Sequence, residues 1–334
     1  CDPRGQQGAG LNCPDRYGDN FYGGDLAGIT EKIADGYLSS LGVTVIYLNP
    51  IFRAPSNHKY DTANFLEIDP DFGTLAEFQA LVQAADAHGI KIMLAGVFNH
   101  TSSDSPYFDR YGRYGETGAC EATAGSPSPY SSWFYFPAFA NAGSDGGVQV
   151  ICQNGQTYEA WYGYSSLPKL KSSLQQVRDY FYGDENAVGP YWTNEGASGW
   201  RFDVGADVDP GVTNDPTNSY WEEFRASVRG GDTAKTDVVM LGEEWGDASS
   251  WLLGNEWDSV MNYRFRSAVL SWLFTGCSGN GCTGGTKFQE NDSNDNSSSG
   301  AISYLSPSHL NARLRSIQED YPPMAFKAMM NLAG

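Results

Sequence analysis

Basic residues are scarce in this chain of 334 residues. Only 21 Lys and Arg stand against 40 Asp and Glu, which leaves a formal net charge of -19 at pH 7. A protein of this charge is repelled by phosphate backbones and by anionic lipid surfaces. The composition therefore argues against nucleic acid as a partner.

Long apolar runs are missing as well. No stretch of about 18 apolar residues occurs, and no signal peptide or lipidation motif is recognisable, so we expect no segment that spans a membrane. The chain is nevertheless 40% hydrophobic, which is enough for a sizeable core. Its length allows one large α/β barrel or two ordinary domains.

Metal-type cysteine spacings are absent too. The six cysteines fall into pairs that are close in sequence and lie in stretches rich in Gly, Ser and Asn: Cys1 with Cys13, Cys120 with Cys152, and Cys277 with Cys282. This pattern predicts local disulfides, although the sequence leaves other connectivities open. Together with a pI near 4.4, it favours an extracellular or cell-surface protein.

Strands and helices alternate along the chain. Val43–Leu48 and Lys91–Phe98 are apolar, β-branched runs typical of buried parallel strands. Between them, Thr74 and Glu77 form a capping box that begins an amphipathic helix, and Gly89 follows its end. The later predicted elements are strands Gly199–Val204, Val238–Gly242 and Phe326–Leu332 and helices Tyr220–Val228, Ala248–Leu253 and Ser306–Asp320. The alternation predicts a barrel or a doubly wound sheet, and the absence of G-x-G-x-x-G disfavours dinucleotide binding.

One connection, from Thr101 to about Leu174, is far too long for a turn. It contains a cysteine pair and the aromatic patch Trp133–Phe136. A loop of this length is usually functional or a small inserted domain. Aromatic residues make up 14% of the chain, and their flat faces suit sugar rings as well as a packed core.

Two carboxylates follow neighbouring predicted strands. Arg201 and Asp203 lie two residues apart on one strand, so their side chains face the same side. Glu243 stands at the end of the next strand, whereas Glu244 points the other way and is the weaker candidate. Retaining glycosidases hold two carboxyl groups about 5–5.5 Å apart, and adjacent strands lie about 4.8 Å apart. The pattern therefore predicts a nucleophile and a general acid at the mouth of a barrel.

The order of the motifs resembles the α-amylase family, especially its neopullulanase-, cyclomaltodextrinase- and amylopullulanase-like members. The resemblance runs from about Asp15 to the final residue. Its motifs are Phe21–Leu26, Tyr47–Phe52, Asn57–Thr62, Gly96–His100, Leu167–Leu170, Gly199–Asp203 and Gly242–Trp245.

The resemblance implies catalytic roles for three residues. Asp203 is the expected nucleophile, Glu243 the acid/base and Arg201 the partner of the nucleophile. A further set is expected to bind substrate: Tyr60, Asp61, His100, Asp207 and Trp245. Asn99 stands where many members place a ligand of a structural calcium ion, and no organic cofactor is implied.

Several of these residues also have plainer interpretations. Arg201 and Asp203 can form an ordinary ion pair, and His100 can be a hydrogen-bonded structural histidine. Tyr60 can be a core aromatic residue, and Asp207 a surface charge. Fourteen per cent aromatic content can equally serve the core alone.

The fold implied by the resemblance is a (β/α)8 TIM barrel that lacks its first and last strands within this chain. Residues 1–100 form its first part, residues 101–171 are the small domain inserted after the third strand, and residues 172–334 continue the barrel. We expect the chain to be an internal portion of a longer protein. Its expected partners are an α-glucan and the remaining segments of the parent chain.

The sequence departs from the family pattern at three places. Ala95 replaces a carboxylate that supports the arginine, so Arg201 loses a partner unless another carboxylate such as Asp61 compensates. Lys171 replaces an asparagine that contacts substrate. The family's His-Asp pair, which carries a third catalytic carboxylate, belongs directly after Gly334. We therefore expect activity from the parent protein and little from this piece alone.

The predicted function is that of a retaining glycoside hydrolase acting on α-glucosidic bonds in starch, maltodextrin or pullulan-type glucans. Two alternatives stay open. A non-catalytic scaffold that binds glucan or protein would tolerate Ala95 and a missing carboxylate. A transglycosylase would use the same site and pass the sugar to another sugar instead of water.

Overall fold

The computed structural model describes residues 24–137, 150–209, 219–230 and 237–261. The chain divides into two compact units, residues 1–243 with 250–259 and residues 244–249 with 260–334. Several predicted features lie outside the described residues: the pairs Cys1/Cys13 and Cys277/Cys282, the helix Ser306–Asp320 and the strand Phe326–Leu332.

A parallel sheet forms the centre of the first unit. The described strands are β1 (Val45–Leu48), β2 (Phe52–Arg53), β3 (Asn64–Ile68), β4 (Lys91–Gly96), β5 (Gly199–Phe202), β6 (Val239–Gly242) and β7 (Ser259–Val260). β1, β4, β5 and β6 are parallel neighbours in that order, whereas β2 and β3 form a separate antiparallel pair. The predicted α/β class is confirmed, and the predicted strands begin or end up to two residues outside the observed ones.

Helices connect the strands. They are α1 (Leu26–Ala34), α2 (Tyr37–Ser40), α3 (Leu75–Ala87), α4 (Gln175–Arg178), α5 (Val188–Asn194), α6 (Gly205–Val208) and α7 (Tyr220–Arg229). The capping box predicted for α3 is present, because Thr74 and Glu77 each accept a backbone hydrogen bond from the other's position. Its buried residues are Phe78, Leu81 and Ala85, at the spacing of one helix face.

The helix predicted over Ala248–Leu253 is wrong. The structure has only a 3-10 turn there, Ser249–Trp251. Asp247 accepts hydrogen bonds from the backbone N–H and the hydroxyl of Ser249. This local turn competes with helical hydrogen bonding, and Gly254, with φ of 104°, follows in a conformation that no helix continues.

The long connection builds a small aromatic core of its own. Phe108 contacts the rings of Phe134 and Tyr158 at centroid distances of 4.8 and 4.7 Å. Cys120 and Cys152 form a disulfide across this segment. Its end returns to the sheet, where an antiparallel bridge joins Lys169 to His100. The connection is thereby fixed at the carboxyl end of β4.

A buried ion pair supports the turn that leads to Tyr60. The Lys59 ammonium lies 3.0 Å from carboxylate oxygens of both Asp69 and Asp71, and the Lys59 and Asp69 side chains are 1% and 0% exposed. Lys59 also has φ of 65°, a left-handed value that is uncommon outside glycine. The sequence motif around Tyr60 thus contains a structural cation beside the candidate site residues.

Removing this ammonium should destabilise the fold strongly. We expect Lys59→Met to lower the free energy of unfolding by about 3–5 kcal/mol, because Asp69 keeps a buried charge without its cation. Urea denaturation of the parent protein measures the change. Lys32→Met, which breaks the exposed pair with Asp35, should leave the midpoint unchanged. Equal effects of the two substitutions would contradict the assignment.

Candidate active site

One buried arginine joins two carboxylates at the carboxyl edge of the sheet. The Nη1 atom of Arg201 lies 2.6 Å from Oδ1 of Asp203, and its Nη2 atom lies 2.5 Å from Oε1 of Glu243. The three side chains are 5%, 13% and 7% exposed. Because one planar guanidinium holds both carboxylates, the two carboxyl groups lie side by side.

Strand register explains this arrangement. Phe202 on β5 pairs with Gly242 on β6, so the residues that follow them, Asp203 and Glu243, leave the sheet at the same level. The ladder continues one step further, since the Glu243 N–H donates to Phe202 O at 3.1 Å. Arg201 shares its face of β5 with Asp203 because side chains alternate along a strand.

The turn after Asp203 is strained and tied to Glu243. Val204 has φ of 42° and ψ of 46°, which is a rare conformation for a β-branched residue. Its N–H donates to Oε2 of Glu243 at 2.8 Å. Glu243 therefore binds both the arginine and the backbone next to Asp203, which orients its carboxyl group from two sides.

The electrostatic setting keeps a proton near the carboxylates. Burial raises the pKa of Asp203 to about 7; the positive charge of Arg201 opposes this rise and the negative charge of Glu243 adds to it. Interacting carboxyl groups titrate as a pair. Near neutral pH the Asp203 carboxyl group is therefore protonated in part of the molecules.

Two tyrosines with neighbouring hydroxyl groups, Tyr47 and Tyr60, lie near the arginine. The Tyr47 and Tyr60 hydroxyl oxygens lie 3.3 Å apart, and the Arg201 guanidinium lies 5.9 Å from the Tyr47 ring centre. Burial raises the pKa of Tyr60, so its hydroxyl stays neutral. Tyr47 belongs to a recognised motif but was not predicted as a site residue; its position at the end of β1 was the available signal.

His100 is a buried, neutral histidine. Its Nε2 lies 3.1 Å from the Tyr60 carbonyl oxygen, and its Nδ1 lies 3.2 Å from Nδ2 of Asn99. Burial lowers the pKa of His100 to about 4, so the imidazole is uncharged at neutral pH. In the tautomer that fits these contacts, Nε2 carries the proton and donates to the Tyr60 carbonyl, and Nδ1 accepts from the Asn99 amide.

Trp161 connects two of the predicted substrate contacts. Its ring stacks on His100 with a centroid distance of 5.9 Å, and its Nε1–H donates to Oδ2 of Asp207 at 3.0 Å. Asp207 is exposed on α6, one helical turn beyond Asp203. No sequence signal singled out Trp161 from the other tryptophans, because its role depends on how the long connection folds back.

The remaining predicted site residues are placed less directly. Asp61 is buried and accepts a hydrogen bond from the Ser56 hydroxyl, and burial raises its pKa. Trp245 is half-buried and belongs to the second compact unit. The structure thus brings Asp203, Glu243 and Arg201 together and links His100 to Asp207 through an indole.

Asn99 is the one residue predicted to bind calcium. Its side-chain oxygen Oδ1 is buried and has no hydrogen-bond partner among the described residues. Calcium takes several oxygen ligands, mostly carboxylates and carbonyls. Among the described residues, however, no three Asp, Glu, His or Cys side chains converge on a common point. Calcium binding therefore stays a prediction.

Comparisons with known proteins identify the family of this chain. Residues 6–316 match the family described as alpha amylase, catalytic domain. The chain belongs to the α-amylase family. It is 40% identical over 333 residues to an amylopullulanase of Thermoanaerobacterium saccharolyticum, covering 95% of this chain and 22% of that protein. It is 37% identical over 276 residues to neopullulanase 2 of Thermoactinomyces vulgaris, covering 82% of this chain and 41% of that protein.

Solved structures support the family assignment. The cyclic alpha-maltosyl-(1-->6)-maltose hydrolase of Arthrobacter globiformis superimposes with a TM-score of 0.62 at 32% identity, covering 77% of this chain and 50% of that one. Membership of the α-amylase family implies that the parallel sheet is part of a TIM barrel. The chain spans about a fifth to two-fifths of the length of the two curated relatives named above.

Arg201 keeps carboxylate contacts although Ala95 replaces the supporting carboxylate of the family pattern. Ala95 is buried and is the register partner of Arg201 on the neighbouring strand. Both terminal nitrogens of Arg201 nevertheless contact a carboxylate. At the second departure, the Lys171 ammonium lies 5.1 Å from the centre of the Tyr135 ring.

Replacing the arginine by lysine tests the bridge. A single ammonium cannot hold two carboxylates in the geometry of a planar guanidinium, so we expect Arg201→Lys to lower kcat on maltodextrin by about 10²-fold. Steady-state kinetics of the parent protein measure this. Arg53→Lys, in an exposed pair with Glu67, is the matched control. Unchanged kcat in Arg201→Lys would contradict the bridging role.

Proposed function

We propose that the parent protein is a retaining glycoside hydrolase that cleaves α-glucosidic bonds in starch, maltodextrin or pullulan-type glucans. The observation that carries this proposal is the contact of one buried guanidinium, that of Arg201, with Asp203 and Glu243. Two neighbouring carboxyl groups, one able to act as nucleophile and the other as general acid, are what a retaining mechanism requires.

The proposed reaction has two steps. The Glu243 carboxyl group protonates the glycosidic oxygen while an Asp203 oxygen attacks the anomeric carbon, so the leaving sugar departs with the proton and a glycosyl ester forms. Glu243, now ionised, removes a proton from water, which attacks the same carbon and releases Asp203. Arg201 keeps Asp203 oriented and stabilises its charge in both steps.

The proposed substrate contacts follow from neighbours of the pair. His100 lies at the carboxyl end of β4, where it is held neutral between Asn99 and the Tyr60 carbonyl. Tyr60 contacts His100 through its carbonyl oxygen, Asp61 is the next residue along the chain, and Asp207 lies one turn after the proposed nucleophile. Trp245 completes the proposed substrate-binding set. Relatives named amylopullulanase and neopullulanase 2 support an α-glucan as substrate.

We further propose the finer organisation of the parent chain. Residues 1–100 and 172–334 contribute to a (β/α)8 barrel whose first and last strands come from other segments, and residues 101–171 form a small inserted domain. The aromatic core and the Cys120–Cys152 disulfide of that connection support the last point. A disulfide also supports an extracellular or cell-surface location. Within the described ranges, no helix is long and apolar enough to cross a bilayer.

The stereochemistry of the product tests the proposed mechanism. We expect the first sugar released from maltodextrin by the parent protein to carry the α configuration, because two inversions at one carbon restore it. Proton NMR in the first minutes, before mutarotation, measures the anomeric ratio. A first product in the β configuration would exclude Asp203 as a nucleophile.

Product lengths and a binding measurement on the same parent protein separate the alternatives. Products longer than the substrate would identify a transglycosylase, in which a sugar hydroxyl replaces water in the second step. Binding of maltooligosaccharide without any turnover by the parent protein would identify a glucan-binding scaffold. Ala95 favours that scaffold, whereas the intact contacts of Arg201 favour an enzyme.

A further inference from the structure

A single buried indole lies against the backbone beside both carboxylates. Trp257 is 1% exposed. A methyl group added at Gly242 would lie 2.1 Å from its Cε3 atom, and one added at Gly205 would lie 2.7 Å from its Cζ2 atom. These distances leave no room for any side chain, so opposite edges of one six-membered ring touch two glycine backbones.

The two glycines stand next to the catalytic pair. Gly242 directly precedes Glu243, and Gly205 comes two residues after Asp203. The Trp257 ring therefore packs against both the chain segment that carries the acid/base and the segment that carries the nucleophile. A smaller residue at position 257 would allow these segments to move relative to each other.

The segment that carries Asp203 needs such support. Val204 is in a left-handed conformation, which costs free energy in a β-branched residue and persists only where surrounding contacts fix it. One contact is the hydrogen bond from its N–H to Glu243. Another is the hydrogen bond from the Trp221 Nε1–H to Gly205 O, at 3.1 Å.

Trp257 is itself firmly held. Its ring stacks on Trp251 at a centroid distance of 5.2 Å and an interplanar angle of 8°, and the backbone N–H of Trp257 donates to the Trp251 carbonyl at 3.0 Å. The next residue, Asp258, exchanges two hydrogen bonds of 2.9 Å with the backbone of Met240 on β6. The ring is thereby fixed to the strand that leads to Glu243.

We propose that Trp257 is a positioning residue that sets the separation of Asp203 and Glu243 by acting as a spacer between Gly205 and Gly242. This inference rests on the proposed hydrolase function. Trp257 acts only through the backbone segments at Gly205 and Gly242.

The test is Trp257→Phe in the full-length parent protein. A smaller ring leaves a gap beside one glycine, so we expect kcat on maltohexaose to fall by about 10²-fold, the loss that a misplacement of about 1 Å produces. KM should change less than about twofold, because the substrate contacts are untouched. The acid limb of the pH profile should also move, because mutual repulsion of the carboxylates depends on their separation.

Trp192→Phe is the matched control. Trp192 is also 1% exposed, but it lies on α5, outside the strands that lead to Asp203 and Glu243. Its ring lies instead against other aromatic rings: Phe52, Phe78 and Tyr191. We expect a similar drop in melting temperature in both variants but a loss of kcat only in Trp257→Phe. Equal loss of kcat in both would overturn the proposal, since loosening of the core would explain it.

A double-mutant cycle tests the spacer contact itself. Gly242→Ala in the wild-type background forces a methyl group into the Trp257 ring and should lower kcat about as much as Trp257→Phe. In the Trp257→Ala background the same methyl group enters free space, so Gly242→Ala should cost less than about threefold. Additive effects would overturn the spacer role. No turnover by the wild-type parent would instead refute the proposed function, and glycosidase activity with full kcat in Trp257→Phe would refute only the spacer.

Discussion

Asp203→Asn in the parent protein is expected to abolish hydrolysis of maltodextrin, with kcat reduced by about 10⁴-fold or more. The amide keeps the size of the carboxylate but cannot form a glycosyl ester. Its melting temperature should equal or exceed that of the wild type at neutral pH. Burial raises the pKa of Asp203 to about 7, so the wild-type fold loses stability as pH rises from about 4 to 7, and the amide avoids this loss.

The control for this experiment is Asp86→Asn. Asp86 also pairs with a cation, Lys91 at 2.9 Å, but the pair is exposed and does not adjoin the carboxyl edge of the sheet. We expect unchanged kinetics. Full activity of Asp203→Asn on starch, pullulan or maltodextrin would refute the nucleophile assignment, whereas a folded variant that still binds maltohexaose without turnover would support it.

Glu243→Gln is expected to lower kcat on maltodextrin by about 10²–10⁴-fold, because a glutamine cannot protonate the leaving oxygen. A glycosyl fluoride needs no such proton, so the first step on that substrate should stay within about tenfold of the wild type. This contrast separates loss of an acid from loss of the fold. Glu244→Gln, the adjacent carboxylate, is the control and should keep the wild-type rate on both substrates.

The same variant predicts the direction of a pH shift. The negative charge of Glu243 is one cause, after burial, of the raised pKa of Asp203. Removing that charge lowers the pKa of Asp203, so the acid limb of kcat/KM for the glycosyl fluoride should move to lower pH in Glu243→Gln. A shift to higher pH would show that the two carboxyl groups do not interact as the structure places them.

Capping and periodicity patterns predicted those helices and strands that are specified by residues close together in sequence. The capping box at Thr74 and Glu77 predicted the start of α3, because both partners of a cap lie within one turn of chain. The helix expected over Ala248–Leu253 failed for the opposite reason. Its apolar residues suit a helix, but the side chain of Asp247 fixes a turn, and Trp251 is buried in the tertiary core.

In the candidate site, too, the contacts that follow from local sequence patterns were predictable and the long-range contacts were not. Alternation along a strand was enough to place Arg201 and Asp203 on one face, and the order of strands pointed to Glu243 on the neighbouring one. The second hydrogen bond of Glu243, to the strained Val204, could not be predicted, since a left-handed valine contradicts every local preference. It exists because contacts from distant parts of the chain fix it.

The sequence by itself determined the α/β class and placed Asp203 and Glu243, the proposed catalytic pair, at strand ends, because periodicity and motif order are properties of neighbouring residues. Only the tertiary structure decided that one guanidinium holds both carboxylates, that Trp161 joins His100 to Asp207, and that Trp257 packs against two glycines. Each of these arrangements includes a contact between residues far apart in sequence: Arg201 with Glu243, Trp161 with Asp207, and Trp257 with Gly205. Packing fixes them through volume and burial, which no single stretch of sequence specifies.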